Sequence, residues 1–341
     1  GGEIKTLTKN KAEAFKLLQL ALTEPRLDNE ALERMRNANL DRIRGDMNDP
    51  NWMAARLLNA TLFGDHPYAM NSGGTLTSLG RITSEDLRKK LKSELSRENV
   101  VISAAGDITG PELSNALDKI FGKLPEKSSV PPISEAVLPQ TASIVLYSKP
   151  IPQTIVQMAL PGIKFDDPDY PAAEVMNFIF GGAGFGSRLM DVIREQRGLT
   201  YGIYSGMSEM DYANTYNIST STRNEKVQEI IDLTQQEMQK ITEAPVTSKE
   251  LHDAKTYLIG SVPLDLTSTD KITAYMQAFQ IEGLPKNYLD QREAAIKAIT
   301  ADDVTRIAKR IFDPKKITTI LVGQPASVKP TTTVKTLPNV Q

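Results

Sequence analysis

Two stretches of the chain align with each other without a gap, and this internal repeat restricts the possible folds more than any other feature. One is "ITSEDLRKKLKSELSRENVVISAAGD", beginning at Ile82, and the other is "ITADDVTRIAKRIFDPKKITTILVGQ", beginning at Ile299. In both, the apolar pattern changes from helical spacing to a short β-rich run. Two shorter matches lie upstream in the same order, "LTEPRLDNEAL" over "ITEAPVTSKEL" and "TLTKNKAEA" over "STSTRNEKV". The repeat predicts two homologous domains of α+β type, each an antiparallel sheet packed with helices.

The two copies differ at their front ends. Copy two has a long segment, from near Ser143 to Ile218, before its "TSTRN" match, whereas copy one has almost nothing before "TLTKN". The first domain is therefore predicted to be N-terminally truncated, by processing, by omission, or because another chain completes it. We predict a first domain over residues 1–127, a Pro- and Ser-rich linker over 128–140, a second domain over 141–326 and a flexible tail over 327–341.

Spacing and capping residues predict several individual elements. Apolar residues share one face from Lys11 to Leu22, which predicts an amphipathic helix. A longer helix is predicted from Asp28, as N-cap, to about Met47, with Leu32, Met35, Leu40 and Ile43 turned inward. "ASIVLYSK" and "QTIVQMAL" are predicted strands, and residues 170–180 a helix that leads into a glycine-rich loop.

Composition excludes several classes of protein. With 40 Lys and Arg against 42 Asp and Glu, the net charge of −2 gives no basic field for nucleic acid. No apolar run is long enough for a transmembrane helix. The chain has no cysteine and two histidines, which excludes thiolate metal sites and makes a local histidine zinc site improbable. His66 is predicted to organise a turn and His252 to lie at the surface.

The stretch "GGAGFGSRLMDVIREQRGLTYGIYSG", from Gly181 to Gly206, is the strongest candidate for a functional site. Its glycines fit neither a dinucleotide fingerprint nor a phosphate-binding P-loop. Two interpretations remain: close approach of helix and backbone, or a hinge or substrate-facing loop formed by Gly182, Gly184 and Gly186. A helix is predicted from Ser187, as N-cap, to Gly198 at C′, with Leu189, Met190 and Ile193 inward. Arg194 and Tyr201 are spaced so that both could donate hydrogen bonds to a peptide carbonyl.

These elements resemble the pitrilysin/insulinase-type metallopeptidases, the inverzincins, over nearly the whole chain. The resemblance rests on "GSRLMDVIREQRGLTYGIYS", on the repeat of two α+β halves, and on "LTEPRLDNEALERMR" and "TLFGDHPYAM". In that family a zinc-binding half and a second half close over an extended peptide. The resemblance implies that the second half's substrate-gripping Arg/Tyr pair corresponds to Arg194 and Tyr201 here.

The zinc-binding half departs from the family pattern. The chain contains no H-x-x-E-H motif, and copy one lacks the region in which the family carries it. The resemblance places the third zinc ligand, a glutamate in the family, at Arg42, and a helper glutamate at Met35. A guanidinium has no lone pair to give to zinc, and Asp41 is about 100° away around the helix. No metal or other cofactor is therefore expected in this chain.

These observations predict the non-catalytic, substrate-gripping subunit of a heterodimeric zinc peptidase acting on peptides. The chain alone is expected to be inactive, and zinc is expected in a homologous partner subunit that carries H-x-x-E-H, with self-association as the alternative. Two other hypotheses stay open: a structural homologue without a peptidase role, and a clipped zinc peptidase that has lost its H-x-x-E-H segment. A periplasmic location is expected, with the cytoplasm as the alternative.

Overall fold

Helices, including short 3₁₀ turns, occupy about half of the chain in the computed structural model, which describes residues 1–340. The α-helices, numbered α1 to α12 in chain order, are Lys11–Thr23, Asn29–Asp46, Pro50–Phe63, Leu76–Arg81, Ser84–Glu94, Gly110–Phe121, Tyr170–Asn177, Val227–Glu243, Ser248–Gly260, Thr269–Ile281, Tyr288–Ala298 and Ala301–Ile311. Two further helical segments have the wider π-helical turn, Phe178–Gly182 and Met190–Glu195. The strands, β1 to β6, are Ser143–Ser148, Gln153–Pro161, Ile203–Met210, Ala213–Arg223, Thr318–Gly323 and Thr332–Val334.

The Ile-Thr-x-x-Asp motif of the repeat begins a helix at both of its positions. Thr83 precedes α5 and Thr300 precedes α12, and each threonine hydroxyl accepts the N–H of the aspartate three residues later. The carboxylates of Asp86 and Asp303 accept the threonine N–H in return, which completes a capping box. The repeat therefore specifies the same local structure twice, while descent from a duplication stays a prediction.

The chain divides into two compact units, each assembled from separate segments. Unit 1 comprises Gly1–Asn39, Ser78–Pro132 and Pro263–Lys286, and unit 2 comprises Leu40–Thr77, Ile133–Val262 and Asn287–Gln341. Both units are discontinuous in sequence, whereas the predicted domains are continuous. The predicted boundaries at residues 127 and 141 therefore describe the extent of the two sequence copies, and they stay a prediction.

Unit 2 contains a six-stranded sheet in the order β3-β4-β2-β5-β1-β6. The predicted strands around residues 143 and 153 are confirmed as β1 and β2. Neighbouring strands are antiparallel from β3 to β5, whereas β1 is parallel to both β5 and β6. The sheet is therefore mixed, not antiparallel as predicted. β1 and β2 run in opposite directions, and β5 lies between them, so β5 is antiparallel to β2 but parallel to β1.

Apolar side chains cover both faces of this sheet. On one face, Met158 and Leu160 of β2 and Ile218 of β4 belong to a core that includes buried residues of α7, α8, α12 and the second π-helical segment. On the other face, Met53 and Leu57 of α3 pack against buried residues of β1, β2 and β5. Burial on both faces explains why β2 is a nearly continuous apolar run instead of an alternating one.

Unit 1 is helical and buries little apolar surface. Ile120 is the one apolar residue of this unit that is buried. The amphipathic helix predicted from Lys11 is confirmed as α1, but its apolar face is only partly covered, and Leu17 is 59% exposed. In α2, the predicted inward residue Met35 is 57% exposed, whereas Ile43, which belongs to unit 2, is fully buried.

Unit 1 also lacks the predicted sheet of the first domain. Residues 101–106 align with β5 but form no strand. In unit 2, β5 pairs with β1 and β2, and the chain has no segments in copy one that align with those two strands. Without neighbouring strands, the N–H and C=O groups of an extended run have no ladder to join.

The segment predicted as a flexible tail, residues 327–341, is structured over its described part. Residues 332–334 form β6, which pairs in parallel with β1. Val340 is buried, and its carbonyl accepts a hydrogen bond from Leu76 N–H at 3.2 Å. The prediction of flexibility was wrong for this part. It relied on the absence of a periodic apolar face, but Val334 and Val340 are each packed in unit 2 as single apolar residues, which produce no periodic pattern.

Candidate functional site

Two wide helical turns flank the glycine-rich loop. α7 continues into the first π-helical segment, where Ala183 N–H donates to the carbonyl of Phe178, five residues earlier, at 3.1 Å. After the loop, Gln196 N–H donates in the same way to Asp191 at 2.9 Å. The sequence predicted regular helices at both places. A π-helical turn contains an extra residue, and such turns are frequent at functional sites.

The loop between these turns combines tight packing with a turned backbone. Gly182 packs on Asn177, because a Cβ at Gly182 would lie 2.7 Å from Nδ2 of that side chain. Gly184 has a φ of +60°, which favours glycine. Gly186 is exposed, and the nearest atom to a Cβ there would be that of Ala183 at 3.8 Å. Ser187 is buried and its hydroxyl donates to the Gly184 carbonyl at 2.8 Å. Close packing on Asn177 thus accounts for Gly182 and a positive φ for Gly184, while Gly186 lies in an exposed part of the loop.

A buried polar network supports the loop from below. Asn177 Oδ1 accepts hydrogen bonds from the hydroxyls of Ser205 and Tyr216, both at 2.8 Å. The same tyrosine hydroxyl lies 2.8 Å from the serine hydroxyl. Burial raises the pKa of Tyr216, so the phenol is protonated and donates. The network joins the end of α7 to β3 and β4.

An ion pair fixes the start of the second turn to α9. Arg188 donates from Nε and Nη2 to the two carboxylate oxygens of Glu250, at 2.6 and 3.0 Å. Burial alone raises the pKa of Glu250, but hydrogen bonds from Arg188 and from Thr247 outweigh it and lower the pKa to about 2. Glu250 also closes the capping box of α9 with Thr247. Arg188 therefore has a structural role.

Arg194 and Tyr201 lie next to each other, as the spacing predicted. Cζ of Arg194 is 5.6 Å from the centre of the Tyr201 ring and 4.5 Å from the centre of the Phe185 ring, both within the range of a cation–π contact. Tyr201 is 90% exposed and Phe185 is 69% exposed. Arg194 also forms an ion pair with Glu195. The buried positions Leu189, Met190 and Ile193 confirm the predicted inward side of this segment.

The candidate site lies at one end of an edge strand. Tyr201 lies two positions before the first residue of β3, and β3 is the outermost strand on its side of the sheet. Apart from the Ile203 N–H, which donates to Sδ of Met190 at 3.4 Å, the outer N–H and C=O groups of β3 face no neighbouring strand, and an extended peptide can pair with such an edge. Phe185 and Tyr201 are exposed and Arg194 is partly exposed, and these three side chains lie together before the start of β3.

The positions that would complete a zinc site in the resembling family do not fit zinc here. Arg42 forms an ion pair with Asp46 at 3.0 Å, and its guanidinium lies where a Cβ on Gly73 would be. Met35 is exposed, and Asp41 pairs with Arg44. Within residues 1–340, no group of three or more His, Cys, Asp or Glu side chains is placed to hold a metal ion. Thioether and guanidinium groups cannot replace two glutamates as ligands.

The two histidines have the places that the sequence predicted. Nδ1 of His66 accepts the Tyr68 N–H at 3.2 Å, and Nε2 lies 2.9 Å from the carbonyl oxygen of Ser134. His66 thus organises the short 3₁₀ turn Pro67–Ala69. His252 is exposed on α9.

Sequence reasoning missed Phe185. The available signal was an aromatic residue between two glycines, at a place where no helical or strand period predicts burial. It also missed Glu195, whose carboxylate holds one end of the Arg194 guanidinium.

Comparison with known proteins agrees with this arrangement. The family model "Peptidase M16 inactive domain" matches residues 81–258, which include the glycine-rich loop, Arg194 and Tyr201. None of the helices in residues 1–340 is long and apolar enough to cross a membrane.

Relatives match over almost the whole chain. The crystal structure of a peptidase M16 inactive domain from Pseudomonas fluorescens superimposes with a TM-score of 0.87 and 30% identity, over 94% of this chain and 77% of that one. A protein of Helicobacter pylori named "Non-peptidase homolog YmxG" is 27% identical over 94% of this chain and 74% of its own length. A chain in complex III of Candida albicans, at 18% identity and a TM-score of 0.77, shares the fold.

The resemblance to pitrilysin/insulinase-type peptidases is thereby confirmed, and the chain spans about three quarters of the length of the first two of these relatives. Its donor set at the zinc position agrees with the inactive type of domain. The chain belongs to the M16 peptidase family, and the part matched is the family's inactive domain.

Proposed function

We propose that this chain is the non-catalytic, substrate-gripping subunit of a two-chain zinc peptidase that acts on peptides. The observation that carries the proposal is the proximity of Arg194 and Tyr201 beside the free edge of β3, in a chain whose zinc-ligand position is Arg42. An arginine and a phenol can both donate to a peptide carbonyl, and an edge strand can pair with the backbone of an extended peptide.

The proposed partner is a homologous subunit that carries H-x-x-E-H and holds the zinc. In that partner the metal would polarise a water molecule for attack on the peptide bond. This chain would contribute the opposite wall of the chamber, where Arg194 and Tyr201 bind the peptide backbone. We further propose a periplasmic location, which the absence of cysteine supports and which fractionation of cells would test.

Reconstitution tests the proposal. The chain is mixed with candidate homologues that carry H-x-x-E-H, and both the mass of the complex and the cleavage of an unfolded peptide are measured. The proposal expects a heterodimer that cleaves the peptide and a separate chain that does not. Chelator-sensitive cleavage by the separate chain would overturn it.

Matched variants separate a gripping role from a structural one. The double variant Arg194→Ala, Tyr201→Phe is expected to form the same complex but lose about 10- to 100-fold in kcat/KM, the size of one or two charge-assisted hydrogen bonds. The control is Arg197→Ala, Tyr204→Phe, which alters an exposed arginine without an ion pair to any described residue and an exposed tyrosine of β3. Unchanged cleavage by the first variant would contradict gripping and favour a structural subunit.

A further inference from the structure

We infer that Phe185 is a positioning residue that holds the Arg194 guanidinium in place for a peptide carbonyl. The inference rests on the proposed function, because it concerns how the gripping arginine is presented. It assigns a role to the tip of the glycine-rich loop that neither the sequence pattern nor the family comparison supplies.

A partly exposed arginine such as Arg194 must hold its guanidinium in one place when it binds a peptide carbonyl. A free arginine side chain loses considerable rotamer entropy when its guanidinium is fixed, and binding is weakened by that loss. Here the side chain is already held before any peptide arrives. Its Cζ lies over the Phe185 ring at 4.5 Å, nearer than over the Tyr201 ring at 5.6 Å.

The contact with Phe185 leaves most hydrogen-bond donors of the Arg194 guanidinium free. A guanidinium has five N–H donors, and a phenylalanine ring attracts it through its face without accepting a conventional hydrogen bond. Among the described residues, Glu195 is the one hydrogen-bond acceptor for Arg194, through Nη1. Phe185 therefore restrains the guanidinium while most of its donors remain available to a carbonyl.

The place of Phe185 in the glycine-rich loop fits contact with Arg194 better than a role in the core. Phe185 is 69% exposed, so it contributes little to the core. It lies between Gly184 and Gly186, and the bond from the Ser187 hydroxyl to the Gly184 carbonyl closes the turn that presents it. An exposed phenylalanine on a closed turn, in contact with an arginine of the next helical segment, is arranged for that contact.

The experiment measures binding of a fluorescein-labelled unfolded peptide of β-casein to the full chain by fluorescence anisotropy. Phe185→Leu keeps an apolar side chain but removes the ring, whereas Phe185→Tyr keeps the ring. We expect Phe185→Leu to raise Kd about two- to five-fold, the size of one exposed cation–π contact, and Phe185→Tyr to restore it. In an Arg194→Ala background, Phe185→Leu is expected to have no further effect, because the residue acts through Arg194.

A second readout follows Arg194 directly. In the NMR spectrum of the free chain, the Nε–H proton of Arg194 experiences the ring current of Phe185, so Phe185→Leu is expected to shift that resonance and Phe185→Tyr to leave it nearly in place. Circular dichroism of each variant verifies that the fold is intact.

The outcomes distinguish the gripping role of Arg194 from the positioning role of Phe185. If Arg194→Ala leaves peptide binding unchanged, or the unaltered chain does not bind, the gripping role itself fails. If Arg194→Ala weakens binding but Phe185→Leu does not, or does so equally in the Arg194→Ala background, the positioning role alone is overturned.

Discussion

Gly181 occupies a place that admits no side chain. A Cβ there would lie 2.4 Å from the Ser205 hydroxyl and 3.0 Å from Cδ1 of Leu189. The serine cannot move away freely, because it is hydrogen-bonded to Asn177 and Tyr216 in the buried network under the loop. The close approach of the first π-helical segment to β3 thus depends on a single missing methyl group.

Gly181→Ala is therefore expected to destabilise the protein by about 1–3 kcal/mol, the usual cost of forcing extra atoms into a packed region. The matched control is Gly206→Ala on β3, where nothing lies within 4 Å of the added Cβ. Urea unfolding of both variants measures the difference. Equal stability of the two would contradict the packing argument.

Phe185 shows what a sequence can and cannot indicate at this scale. The burial of Leu189, Met190 and Ile193 could be predicted because apolar residues at helical spacing indicate one buried side of a helix. The position of Phe185 over Arg194 could not, because an exposed loop residue follows no period and its partner lies nine positions later. Arg194 and Tyr201 were predictable together because only a short turn separates them.

At the scale of elements, α9 is joined to the functional segment through a charge. The Glu250 carboxylate accepts hydrogen bonds from Arg188 and from Thr247 at the start of its own helix, and these bonds lower its pKa from 4.5 to about 2. A carboxylate with a lowered folded pKa stabilises the folded state above its unfolded pKa. That stabilisation is lost as the pH falls from about 4.5 towards about 2.

Glu250→Gln tests this link, because glutamine still completes a capping box but carries no charge for Arg188. We expect a loss of about 1–2 kcal/mol at neutral pH, near the lower end for charged hydrogen bonds because both side chains retain some solvent contact. The difference from the unaltered protein should shrink as the pH falls from 4.5 towards 2.

The matched control for this prediction is Asp253→Asn, which removes an ion pair with Lys249 that is largely exposed on the same helix. Such pairs contribute little, so this variant should lose less than about 0.5 kcal/mol at any pH. A pH-independent difference for Glu250→Gln would contradict the assignment of the lowered pKa.

Some elements were predictable and others were not, for reasons that differ. The strands β1 and β2 and the helix α12 were evident because their apolar patterns are long and strong. Residues 101–106 have a similar pattern but no strands beside them, so local preference alone does not produce a strand. The π-helical turns were not predictable, because one inserted residue leaves the apolar spacing of a short helix almost unchanged.

At the scale of the whole molecule, the two units differ in how much apolar surface they bury. Unit 2 contains an extensive core on one face of its sheet, whereas unit 1 buries one apolar residue, Ile120. Burial of apolar surface is the main source of folding stability, so the units should differ in how readily they open.

Hydrogen exchange measures that difference. We expect amides of α1, α5 and α6 in unit 1 to exchange faster than those of α8 and β4 in unit 2. Both sets are backbone hydrogen-bonded, so the comparison reports the cost of opening. Equal protection of α1 and β4 in the separate chain would contradict the expectation.

The metal content of the whole chain is a further expectation. After incubation with excess zinc and desalting, the purified chain should retain far less than one zinc ion per molecule, measured by elemental analysis. The reason is the donor set: the family resemblance predicts Arg42 and Met35 at two glutamate positions, and no group of three or more His, Cys, Asp or Glu side chains within residues 1–340 is placed to hold a metal ion. A homologue that carries H-x-x-E-H, treated in the same way, is the control. Stoichiometric zinc in this chain would contradict the proposal.

The second π-helical segment has a consequence for how relatives of this chain should be compared. A π-helical turn takes one residue more than an α-helical turn, so a relative that lacks one residue between Ser187 and Arg194 would form a regular α-helical turn and keep its arginine on nearly the same side as here, facing Tyr201. Every functional residue type would still be present. The length of this segment can therefore change while the place of the arginine does not, and an alignment that forbids a gap here would compare Arg194 with the wrong residue.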